Sequence, residues 1–151
     1  MDEKKLRWCL KQKRGIKLIE EKEHLSDAYL AESDKTLENV KRTPGKWKII
    51  TAYYACYSAF YAILMKCGIK SEIHDCTLAL LSLFNFSESE IKFIEELKES
   101  RIKVQYYLVE NSLKDETKVK EFILKCKTIL GEITTENIGE IRNKIKGVKD
   151  E

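Results

Sequence analysis

IITAYYACYSAFYAILM, residues Ile49–Met65, runs for seventeen residues without a charge. A stretch of that length and polarity is either a short membrane span or the central helix of a soluble bundle. Its four tyrosines, distributed along the segment rather than gathered at its ends, favour the bundle helix. Ile50, Tyr54, Tyr57, Tyr61 and Leu64 recur at three- and four-residue steps and form an aromatic stripe, and Ala52, Ala55, Ala59 and Ala62 form a second stripe of small residues. The small stripe admits another helix at close range and the aromatic one fills a wider gap. Both stripes read as core. The sharper alternative is that the alanine stripe, or some tyrosine hydroxyls, meet a partner chain.

Outward from this helix the pattern stays helical. The chain has 151 residues, one proline and no useful run of period-2 alternation, so the expectation is an all-α protein, a single domain spanning residues 1–151. A first helical region covers about residues 3–42, broken near Gly15 or at Leu25-Ser26-Asp27. Thr43-Pro44-Gly45-Lys46 is a turn, the central helix runs from about Lys46 to Cys67, and Gly68 stops it. A shorter helix follows His74. Ser87 and Glu90 have the spacing of a capping box and open the helix that carries RIKVQYYL, residues 101–108. Asp115 caps a helix that runs to about Ile133, and Thr134 or Thr135 starts a final short one, followed by a frayed tail over residues 145–151.

Composition narrows the function classes. A net charge of +3 is too small to argue for nucleic acid by itself. Five cysteines, odd in number and without a C-x-x-C pair, match neither a disulfide framework nor a zinc ribbon, and Cys56 and Cys126 read as small core residues. With no apolar leader after MDEKKLRW, the expected setting is cytoplasmic and reducing. No phosphate-loop, dinucleotide, zinc-protease or nucleophile-elbow motif is present, and no cofactor or metal is expected. EEKEHL, residues 20–25, reads as a solvated helix face before it reads as a metal site. KKLRWCLKQKRGIK, residues 4–17, is basic around Trp8 and reads as a solvated helix with Leu6 and Leu10 inward; its alternative is a grip on a phosphate backbone or an acidic partner.

RIKVQYYL poses the functional question. Phe93, Leu97, Val104 and Leu108 fall on one arc of a regular helix, and Arg101 lies at the edge of that arc. An arginine there cannot lose its charge, so it snorkels, pairs, or faces a wet site or an interface.

The order of these segments resembles the HEPN domain, an all-helical up-and-down bundle. Tyr53, Tyr54, Ala55, Tyr57, Ala59, Ala62, Leu64 and Gly68 match its aromatic- and alanine-rich helix, His74 matches a Thr-His step with Ile73 in place of threonine, and Arg101 and Tyr106 match the ends of an Arg-x-Arg-Ala-Asp-Tyr element in which Lys103, Val104 and Gln105 depart from the pattern. The resemblance covers about residues 25–130 and implies about five core helices, with residues 1–22 an N-terminal helical extension. It also implies a homodimer. Some members of the family cleave RNA with an Arg-x(4–6)-His motif assembled at the dimer interface, and others are encoded with a minimal nucleotidyltransferase in toxin–antitoxin pairs. Arg101 falls on the motif arginine, but Tyr106, Tyr107 and Leu108 stand where the histidine belongs.

A tyrosine with a pKa near 10 is a poor base, and residues five apart on a helix diverge by about 140°. The leading expectation is therefore a non-catalytic or weakly active homodimer that binds a nucleotide- or RNA-related partner, such as a minimal nucleotidyltransferase. Arg101 would order an interface or hold a phosphate, with His74, Gln105, Tyr54 and Tyr57 as binding or interface neighbours. The alternatives are a ribonuclease toxin using Arg101 with Tyr106 or Tyr107, and an oligomerising scaffold without a ligand.

Overall fold

The computed structural model describes residues 2–150 and is an all-α helical bundle. In chain order the helices are α1 (Glu3–Lys11), α2 (Glu23–Val40), α3 (Lys46–Cys67), α4 (His74–Ala79), α5 (Glu88–Tyr107), α6 (Glu116–Glu132) and α7 (Thr135–Lys149), with a 3-10 turn over Leu80–Leu83. Two residues on each side, β1 (Lys17–Leu18) and β2 (Ile69–Lys70), pair antiparallel. A two-residue ladder carries no alternation for a sequence reading to detect, which is why no strand was expected there.

The starts and stops follow local chemistry. Ser87 Oγ accepts from the Glu90 N–H while the Glu90 carboxylate accepts from the Ser87 N–H. Asp115 accepts from two amides of α6, and Thr134 and Asn137 form the reciprocal cap of α7. Gly68 ends α3 in the left-handed region, at φ 71°, where the Arg142 guanidinium and the Ile19 carbonyl leave no room for a Cβ.

α3 is the axle, and α2, α5, α6 and α7 all lie against it. Its four alanines are fully buried among the chain's own helices, and the Ser33 hydroxyl of α2 donates to the Ala55 carbonyl at 2.7 Å. The close approach the alanines predict is therefore made within the chain. Phe60, Phe84, Phe86 and Phe122 form an edge-and-stack cluster with neighbouring centroids 5.4 to 5.7 Å apart. No described helix is long and apolar enough to cross a membrane.

The N-terminal segment packs into the bundle with Leu6 and Leu10 inward, as read from the sequence: Leu6, Cys9, Leu10 and Ile16 belong to the same buried cluster as α3. Two expectations are corrected. The tail expected to fray from residue 145 instead continues α7 to Lys149, with Ile145 and Val148 buried; residues 1 and 151, the outer ends of the expected extension and tail, lie outside the described residues. The cysteines are not all thiols, because Cys9 of α1 and Cys76 of α4 form a disulfide across 67 residues of sequence. No sequence spacing announces a pairing that only tertiary packing brings together. Cys56, Cys67 and Cys126 are free and buried, and burial pushes the Cys67 thiol up to about 12.

Two predictions rest on these contacts. Closing a loop of this length removes about 4 kcal/mol of chain entropy from the unfolded state, so urea denaturation of the Cys9→Ser/Cys76→Ser double variant should show a loss of that order against the oxidised protein. Ala55→Leu should cost about 1–3 kcal/mol by overpacking the α2–α3 contact, read as a lower thermal midpoint.

Candidate functional site

α5 buries Ile94, Leu97, Arg101 and Val104. Arg101 thus sits in the middle of the inward stripe, only 6% exposed, and not at its edge. Leu108, expected on that arc, leaves the helix at φ 54° and is exposed. The inward stripe takes Ile94 where the sequence reading took Phe93, which is half-buried.

The Arg101 guanidinium lies over the Tyr53 ring at 4.7 Å and near the Tyr54 ring at 5.6 Å. Its Nη1 donates to the Tyr54 hydroxyl at 3.0 Å and, more weakly, to the Gln105 carbonyl oxygen at 3.4 Å. Its Nε is buried with no partner. No carboxylate of the described residues pairs with it. The charge is met by ring faces and neutral oxygens alone.

Tyr53 connects the arginine to a histidine. Its hydroxyl and His74 Nδ1 are 2.7 Å apart, the tautomer deciding which donates. The imidazole stacks on Tyr57 at 4.4 Å and 18°. Tyr57 and Thr77 hydroxyls meet at 3.0 Å, Thr77 donates to Ser71 Oγ at 2.9 Å, and the Tyr61 hydroxyl donates to the Ser71 carbonyl while accepting from the Ser71 N–H, each at 3.1 Å. Tyr53, Tyr57 and Tyr61 are four residues apart, so one face of α3 carries the whole series. These hydroxyls are satisfied inside the chain.

Burial sets the protonation states. It raises Tyr53 far above the usual tyrosine range and pushes Tyr57 up to about 12, against the opposing effect of its hydrogen bond with Thr77. His74 lies below the ordinary 6.5, first because it is desolvated and second because the Arg101 cation disfavours another positive charge nearby. Asp75, next in the chain, is held below its usual value chiefly by a hydrogen bond from Lys98. Beside the permanent charge of Arg101 the cluster thus has a neutral imidazole and, in Tyr53 and Tyr57, two neutral phenols at pH 7.

Of the residues expected at the site, Arg101, Gln105, Tyr54, His74 and Tyr57 are brought together. Tyr106 and Tyr107 are not among the groups that touch Arg101; they stand 65% and 72% exposed at the end of α5, beside the exposed Leu108 and Val109. Tyr53, Ser71 and Thr77 were missed as site residues. The four-residue step from Tyr53 to Tyr57 was the available signal for the first, whereas the loop fold that delivers Ser71 and Thr77 has none. Around His24, and elsewhere among the described residues, no group of three or more His, Cys, Asp or Glu side chains is arranged to hold a metal ion.

Comparison with protein-family models, curated proteins and solved structures gives no match.

The histidine gives a sign-checked prediction. Its folded pKa is depressed, so the unfolded chain takes up its proton first as pH falls. The corresponding stability is present above 6.5 and is lost as pH drops from 6.5 toward the lower folded value. NMR titration of the His74 ring should give a midpoint below 6.5. Arg101→Gln should raise that midpoint without restoring it fully, because desolvation persists.

Proposed function

We propose that this protein is a non-catalytic helical binding module of the HEPN kind whose Arg101 face receives a phosphate-bearing partner of the nucleotide or RNA class. The observation that carries the reading is a buried guanidinium with no carboxylate partner and one N–H unmet. Arginine keeps its charge at any working pH, and an uncompensated buried charge is costly. A phosphate oxygen pair matches the guanidinium fork and returns the missing counter-charge. Tyr54 and Gln105, both in contact with Arg101 and both exposed, form the approach to it.

The resemblance adds the homodimer and the minimal nucleotidyltransferase as the partner to try first. The run of exposed apolar side chains from Tyr106 to Val109 supports a macromolecular partner beside the phosphate. A second reading, an RNA-cleaving toxin, is favoured by one specific observation: His74 reaches the Arg101 cluster through Tyr53. There the imidazole, neutral at pH 7, would stand in for the absent motif histidine as the base, and Tyr106 or Tyr107 would be supplied across a twofold axis.

The test compares wild type with Arg101→Leu for binding of nucleoside triphosphates and short RNAs by calorimetry, alongside RNA cleavage. The variant should bind about ten- to a hundredfold more weakly, the worth of one or two charge-assisted hydrogen bonds. Its thermal midpoint should hold or rise, because an unpaired buried charge has been replaced by an apolar group. A midpoint that falls sharply with unchanged binding would favour a purely structural arginine. Wild type that binds nothing in the panel sinks the proposal, and cleavage lost in a folded His74→Gln variant moves the assignment to the ribonuclease.

A further inference from the structure

The N-terminal segment offers a second anionic contact, distinct from Arg101 and carried by different residues. Residues 4–17 contain seven lysines and arginines and no carboxylate. α1 turns Leu6, Cys9 and Leu10 inward and leaves Trp8 outside, 53% exposed. Trp8 makes no ring contact with any described residue, although a side chain of that area is usually stacked or covered. Lys11 follows one turn later on the same exposed side, and Lys13 and Arg14 project from the turn that leads to β1.

Two further observations give this surface its character. Lys11, Lys13, Arg14, Lys17 and Lys70 have no ion-pair partner among the described residues, whereas Lys5, on the same helix, lies 4.0 Å from Asp75. In addition, Lys17 and Lys70 are direct partners across the antiparallel ladder. Like charges opposed in a ladder repel, and an anion between them relieves the repulsion. The surface is also held in place. The disulfide ties α1 to α4, the Ile16 N–H donates to the Cys9 carbonyl at 3.0 Å, and the Glu72 N–H donates to the Arg14 carbonyl at 3.0 Å. A preformed surface spares a ligand the ordering cost.

We infer that Trp8, Lys11, Lys13, Arg14, Lys17 and Lys70 form a docking surface for single-stranded nucleic acid. The cations track successive phosphates and the indole stacks on a base, a combination that needs no particular sequence because every base has a π-face. An acidic polypeptide satisfies the lysines but has no use for an exposed, unstacked tryptophan. The surface borders the candidate site: Asp75 links Lys5 of α1 to Lys98 of α5, and His74 precedes it. The docking surface stands without the Arg101 reading.

Trp8 and Trp47 are the only tryptophans, so Trp47→Phe isolates Trp8 fluorescence. Titration of this full-length variant with a twelve-nucleotide oligouridylate should quench Trp8, with affinity falling as salt rises. Replacing Lys11, Lys13 and Arg14 with Gln should flatten the slope of log affinity against log salt by about 2, at about 0.7 per phosphate contact. Trp8→Ala, followed by anisotropy of a labelled oligonucleotide, should weaken binding about five- to a hundredfold. Circular dichroism confirms that each surface variant is folded. Absence of quenching overturns the inference, as does polyglutamate binding as tightly as the oligonucleotide and independently of Trp8. Oligonucleotide binding that disappears in Arg101→Leu but survives in the Lys11/Lys13/Arg14 variant removes this surface and leaves the Arg101 reading intact. Nucleotide binding indifferent to Arg101→Leu, together with Trp8 quenching by RNA, does the reverse.

Discussion

Residues 59–65 of α3 are all buried, and seven residues make nearly two turns, so over that stretch no side of the helix is left to water. An apolar helix of this kind has to be surrounded, and the surrounding elements are what the rest of the chain supplies. α2 takes the alanine side at close range, while α5, α6 and α7 close the others. The side chains divide the work by size. Alanines let the α2 backbone approach until Ser33 reaches the Ala55 carbonyl, and Phe60 fills the wider gap with Phe84 and Phe86. Burial of α3 therefore fixes the positions of helices whose own sequences are strongly charged and only weakly committed to one neighbour.

The ends of that axle are tied by polar contacts that span the chain. Arg142 of α7 places Nη1 at 2.9, 3.0 and 2.8 Å from the carbonyls of Ile19, Cys67 and Gly68, a cation at the carboxyl end of a helix and on the strand segment beside it. Lys66 donates to the Leu130 carbonyl of α6 at 3.1 Å. The Cys9–Cys76 disulfide does for α1 what these arginine and lysine contacts do for α7 and α6. The hydrophobic core decides which faces turn inward, and these contacts decide how far each helix end can slide.

The Arg101 cluster depends on the same arrangement. A guanidinium in the inward stripe of α5 is tolerable because α3 presents the Tyr53 and Tyr54 rings to it, and those rings are in place because Tyr57 and Tyr61 are anchored to Thr77 and Ser71. The states of the groups are mutually consistent. The fixed charge of Arg101 helps keep His74 neutral, and a neutral imidazole shares one hydrogen with the Tyr53 hydroxyl without placing a second cation nearby. What the cluster lacks is an anion. That deficit distinguishes it from an arginine engaged in a structural ion pair.

The sequence by itself determined the elements. The charge-free stretch Ile49–Met65 of α3, the Gly68 stop, the caps at Ser87, Asp115 and Thr134, and the helical character of the whole chain follow from side-chain periodicity and local hydrogen bonding, which act within a few residues. It also singled out Arg101, because a charge beside an apolar arc conflicts with its surroundings at short range, and it set Tyr54 and Tyr57 on the aromatic stripe; His74 and Gln105 came as candidates only through the family resemblance. Tertiary structure alone decided the rest. Whether Arg101 meets a carboxylate, which tyrosine links it to His74, whether Cys9 finds Cys76, and whether the N-terminal segment and residues 145–149 join the core all depend on groups brought together across 21 to 67 residues of chain or more. Such contacts are fixed by the packing of helices around α3, a property of the whole chain that no local stretch of sequence records.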